Sequence, residues 1–129
     1  IIIMKKENKK ITELVKTFED ARKLTGRPDV PDFSNLPTDM RKHFEAQYKM
    51  IVIAEALNEG WIPDWDNYNE YKYYPWFEMS PSSCAFGDSD CDRAFAFAGS
   101  GSRLKFRTHE LAEYAAKQFI DIWKDIQIA

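Results

Sequence analysis

The sequence predicts one α+β domain: two N-terminal helices, the second central and buried, then an antiparallel meander of three to four strands, and a C-terminal amphipathic helix packed on it. Three observations predict it. Met50–Leu57, MIVIAEAL, is apolar nearly all round at helical length, and a helix that is hydrophobic on every side is buried on every side. Between Tyr71 and Arg107, short segments alternate apolar and polar residues between clusters of turn formers. Finally, Leu111, Ala112, Ala115, Ala116, Phe119, Ile122, Trp123 and Ile126 fall within one arc at 100° per residue.

Taken in order, residues 1–10 read as a flexible lead, and residues 11–129 as the domain. Three Ile precede Met4 and four Lys follow it, the reverse of a secretory signal, so upstream sequence read in frame and a start at Met4 are expected. Ile11, Leu14, Val15, Phe18 and Ala21 give a first helix over Ile11–Leu24. Thr17 with Asp20 forms a capping-box pattern, so the helix is expected to break and restart there. Gly26 and Pro28 end it, and a two-proline loop spans 27–36. Pro37, Thr38 and Asp39 open the second helix, which runs to Asn58 and stops at Gly60.

Trp61–Met79, WIPDWDNYNEYKYYPWFEM, carries eight aromatic residues in nineteen. It starts as an Asx-rich turn (63–69) and becomes strand-like over 71–79, where Pro75 predicts an edge strand or a bulge. Turn signals at 80–83 and 87–92 bracket a short strand at Ala85–Phe86. RAFAFA (93–98) and RLKFR (103–107) complete the predicted meander around a GSGS turn. Thr108 caps the last helix.

The chain has 129 residues and a net charge of −3, so bulk charge does not favour nucleic acid. No apolar run approaches the ~18–20 residues of a membrane span, so no membrane association and a cytoplasmic setting are expected. Two cysteines, Cys84 and Cys91, are too few for a secreted disulfide scaffold. Seven residues apart, they could face each other across a hairpin, although free thiols are expected.

No segment carries a catalytic or metal signature. DSDCD (88–92) opens like a calcium loop, but Arg93 and Gly99 stand where Gly and Glu are needed, so a solvated turn is expected. AGSGSR (98–103) feeds a strand rather than a helix, unlike a phosphate loop. His43 and His109, the only histidines, lie on different predicted helices, and no nucleophile elbow is present. Glu55, in an apolar stretch, is a candidate for a raised pKa, with a bond to a Tyr or Trp tip as the commoner arrangement. No metal and no cofactor are expected.

The candidate binding surface is therefore aromatic and basic: Trp61, Trp65, Tyr71, Tyr73 and Trp76, with Arg103, Lys105 and Arg107. In an alternating strand those three cations project together into solvent, away from Leu104 and Phe106. Tyr, Trp and Arg are the residues of protein interface hot spots. The same set could stack and track a single-stranded nucleic acid. The expected function is non-enzymatic binding of an unidentified protein partner, with self-association as one form. Single-stranded nucleic-acid binding is the alternative, and a small enzyme of unknown class a further one.

Two long segments, ALNEGWIPDWDNYNEYKYYPWFEMSP (56–81) and GSRLKFRTHELAEYAAKQFIDIW (101–123), together with TFEDARKLTG (17–26), resemble a family of small uncharacterised proteins of gut Bacteroidetes and their prophages and phages. The resemblance implies a bacterial or phage cytosolic setting and an accessory role. It carries no activity, cofactor or site residue.

Overall fold

The computed structural model describes residues 9–96, 98 and 101–129, which leaves most of the predicted lead outside it. The first helix breaks where the capping box sits, into α1 (Ile11–Leu14) and α2 (Phe18–Thr25). Thr17 Oγ1 accepts from the Asp20 amide and Asp20 Oδ2 from the Thr17 amide, both at 3.1 Å. Two of the new helix's free amide donors are thus satisfied. Gly26 ends α2 in the left-handed region at φ +71°, where a side chain would be strained.

α3 (Thr38–Leu57) occupies the predicted second-helix segment. In its second half Met50, Val52, Ile53, Ala54, Ala56 and Leu57 are buried, while Ile51 and Glu55 are half-buried. Among the described residues, no Tyr or Trp tip is hydrogen-bonded to Glu55. Its carboxylate forms a two-pronged ion pair with Arg27, at 2.9 and 3.2 Å. Asn58, buried at the end of α3, donates to the Lys105 carbonyl (2.8 Å) and accepts from the Arg107 amide (2.9 Å), which ties 105–107 to the helix end.

The predicted meander is instead one long hairpin. Among the described residues the only sheet joins β1 (Lys72–Ser80) and β2 (Ser83–Asp92) through a tight turn at the predicted 80–83 position. The predicted turn at 87–92 is strand. Asp88, Asp90 and Asp92 alternate with Ser89 and Cys91, and pairing with β1 overrides the poor strand preference of Asp and Gly. Pro75 stands beside a bulge at Trp76/Phe77, where Gly87 is the extra residue. Cys84 and Cys91 are both free and lie on the same strand, not across the hairpin, at an estimated ~3.3 Å per residue of separation.

The two further predicted strands are not formed as such. Arg93–Ala96 is bend and coil, and Phe97 lies outside the described residues, as do Gly99 and Ser100 of the GSGS turn. In the RLKFR segment, Ser102–Leu104 is a 3-10 turn, and only Phe106 pairs with the hairpin. Its amide and carbonyl exchange bonds with Tyr73 at 2.7 and 3.1 Å. Leu104, Lys105 and Phe106 are buried in succession because the segment is covered by α3 on one side and the hairpin on the other.

The last predicted helix is two: α4 (His109–Gln118), capped by Thr108 Oγ1 on the Leu111 amide at 3.1 Å, and α5 (Ile120–Gln127). Phe119, at φ −113° and ψ 31°, breaks the helical path between them. Leu111, Ala112, Ala115, Phe119 and Trp123 join Ile53, Leu57 and Phe106 in one core, with Ile51 and Ile122 packed at its margin. Phe77 carries the hairpin onto it, its ring centroid 5.2 Å from that of Trp123.

Candidate functional site: the outer face of the hairpin

Side chains alternate across a strand, so the hairpin has two faces. The inner face carries Tyr73, Pro75 and Phe77 of β1 with Cys91 and Ser89 opposite, and it packs on α4 and α5. Here Ser89 Oγ hydrogen-bonds His109 Nδ1, while His109 Nε2 lies 3.5 Å from Glu113, which also binds Lys117 at 2.6 Å. The lysine shares the carboxylate that would otherwise orient the ring.

The outer face carries Lys72, Tyr74, Trp76 and Glu78 of β1, opposite Asp92, Asp90, Asp88 and Ala85. One end of it is covered by the chain itself and holds two lysines with no solvent exposure at all. Lys72 Nζ donates to the carbonyls of Asn67, Glu70 and Arg93 at 2.8–2.9 Å, with the Trp65 ring centroid 5.3 Å away. Lys105 Nζ lies 3.0 Å from Asp92 Oδ2 and 4.4 Å from the Tyr74 ring centroid. Burial pulls the Lys105 pKa below its ordinary value, with Asp92 pulling the other way. Both cations are held by an aromatic face together with oxygen atoms, which is how a buried ammonium is compensated.

The other end is open. Trp76 is 43% exposed and lies across the bulge, its ring filling the space where a side chain at Gly87 would stand. Asp88 is directly opposite, Asp90 and Glu78 are neighbours on the same face, and all three carboxylates are exposed. Back at the covered end, where β2 stops, the Arg93 guanidinium sits 4.6 and 4.7 Å from the Tyr68 and Tyr71 ring centroids and donates to both hydroxyls, and Tyr71 meets Tyr73 of the inner face edge-on. Phe95 beyond Arg93 is 85% exposed.

The structure thus divides the residues singled out in the sequence. Tyr71 and Trp76 are exposed, and Tyr73 is half-buried under His109 on the inner face. Trp61 donates its indole N–H to Glu70 (3.2 Å), and Trp65 donates to Ser102 (2.6 Å). The basic row does not exist. Lys105 is buried, Arg107 is paired with Glu59 at 3.1 Å, and Arg103 points toward a separate cleft. That cleft, about 420 Å³, is lined by Arg27, Glu55, Trp61, Ile62 and Arg103 among others. Sequence reading missed Lys72, Asp92 and Arg93. The period-2 spacing of Asp88, Asp90 and Asp92 was the available signal, masked by their turn-forming residue types.

The same burial has a consequence at high pH. Desolvation raises the pKa values of Cys84 and Cys91 above 9.0, and those of Tyr73, Tyr74 and Tyr114 above 10.0. Between those ordinary values and the raised ones the folded chain keeps protons that the unfolded chain has lost, so stability falls as pH rises. Lys105 acts oppositely, since the folded chain sheds its proton below 10.5. The five raised groups are expected to lower the thermal midpoint from about pH 9 upward, with Lys105 opposing them. A midpoint that rises over that interval would show that Lys105 outweighs the thiols and phenols.

Searches against protein-family models, curated proteins and solved structures return no match for this chain.

Proposed function

We propose that this chain is a non-enzymatic accessory protein that acts by binding another protein through the outer face of its hairpin. The observation that carries the reading is Trp76, exposed on the outer face with its ring over Gly87 at the bulge. An exposed Trp on a rigid support is the kind of residue around which interfaces concentrate their energy. The bulge holds the ring in place, which lowers the entropy lost on binding. The setting proposed with it, the cytoplasm of a bacterium and a phage or mobile element, rests on the family resemblance.

Single-stranded nucleic acid is the weaker reading. A stacking platform needs a basic groove beside it. Trp76 is instead flanked by Glu78, Asp88 and Asp90, which repel phosphates.

A photo-crosslinking residue placed at Trp76 or Ala85, with exposed Lys23 on α2 as control, tests this in the source cells. A discrete protein adduct from the hairpin positions, absent from the control, is expected. An adduct of twice the chain mass would identify the partner as a second copy. Nucleic-acid adducts alone, or none above the control, would overturn the proposal.

A further inference from the structure

The two halves of the outer face offer one chemistry, and only one half is filled. In the covered half, the chain sets an ammonium group against an aromatic ring and a carboxylate: Lys105 against Tyr74 and Asp92. Two residues along β1, in the same alternation, Trp76 replaces Tyr74, and Asp88 and Asp90 replace Asp92. Glu78 adds a third carboxylate. Among the described residues, none of these three carboxylates is in an ion pair, and no cation lies over Trp76.

We infer that this open half takes an arginine side chain from a basic partner peptide, its guanidinium stacked on Trp76 and paired with Asp88, Asp90 or Glu78. This rests on the reading of the hairpin as a protein-binding surface, and it names the partner's chemistry. Charge decides the occupant. Three unneutralised carboxylates around an exposed ring repel an acidic partner and draw a cationic one. Arginine fits better than lysine because a planar guanidinium can stack on an indole while its edge donates to carboxylates. Tryptophan is also the strongest of the aromatic rings for a cation. The ring cannot settle into the bulge to escape contact, because it already fills the space over Gly87.

The test uses the full chain and an N-acetylated peptide of four Arg-Thr repeats, with Lys-Thr and Glu-Thr versions for comparison, titrated calorimetrically at low salt. The arginine peptide is expected to bind most tightly and the glutamate peptide not at all. Affinity should fall as salt is raised, since exposed charges are screened. Glu78→Gln with Asp88→Asn and Asp90→Asn should weaken binding at least about tenfold, as should Trp76→Ala. Asp29→Asn with Asp32→Asn and Asp39→Asn, three exposed carboxylates elsewhere, removes the same charge and should leave binding within about twofold. Thermal melts of each variant confirm that these surface changes leave the fold intact. Equal weakening by both triple variants, or equal binding of the arginine and glutamate peptides, would overturn the inference. If the hairpin crosslinks a protein yet ignores the arginine peptide, the surface reading stands and this inference falls.

Discussion

Replacing Asp92 by alanine is expected to destabilise the domain by about 3–5 kcal/mol, the usual cost of removing one partner from a buried ion pair. Lys105 has no solvent exposure, and Asp92 Oδ2 is 3.0 Å from its ammonium. Truncation leaves the cation without that carboxylate in a medium of low polarity. The loss should also depend on pH in a diagnostic direction. Burial already depresses the Lys105 pKa and Asp92 opposes the depression, so the variant's value falls further. Below its unfolded value of 10.5 the folded variant then holds fewer protons than the unfolded chain, and its stability deficit shrinks as pH rises toward that value. Urea unfolding at pH 7 and at about pH 9.5, each against the parent chain, measures both effects. Asp92→Leu combined with Lys105→Met should recover most of the loss, since a well-packed apolar pair often replaces a buried ion pair without cost. A single-variant cost below about 1 kcal/mol would mean that the pair is hydrated.

Leu57→Ala should cost about 2–5 kcal/mol, the range for truncating a buried leucine when the surrounding packing relaxes only in part. Leu57 is fully buried in the last turn of α3, in the same core as Leu104, Phe106 and Leu111. Ile51→Ala should cost less, because Ile51 is half-buried and lines the cleft between α3 and the 102–103 turn. Equilibrium urea denaturation of both variants gives the comparison. A Leu57 cost under about 1 kcal/mol, or an Ile51 cost exceeding it, would place the core on the other side of the helix.

Helices were legible from local pattern because the information that makes them is local. The break at Thr17 is set by two side chains three residues apart, the stop at Gly26 by one left-handed residue, and the start of α4 by Thr108. The burial of Met50–Leu57 followed from the absence of any polar face. These features, and the α+β class, are determined by the sequence itself. The break at Phe119 was not, since the apolar arc runs through it without a Gly or Pro to mark it.

Tertiary structure decided the hairpin and the fate of the charges. Asp88–Asp92 reads locally as a turn and becomes strand because β1 supplies its hydrogen-bond partners. Lys105 alternates with apolar neighbours as a solvent-facing residue should, yet it is buried, because Asp92 and Tyr74 meet it from thirteen and thirty-one positions away. Lys72 is buried for a like reason, its ammonium satisfied by three carbonyls from two loops. Hydrophobic period tells which residues seek the core when each side chain acts alone. It cannot tell when a distant carboxylate or ring makes the interior the better place for a charge, because that compensation exists only once the chain has folded.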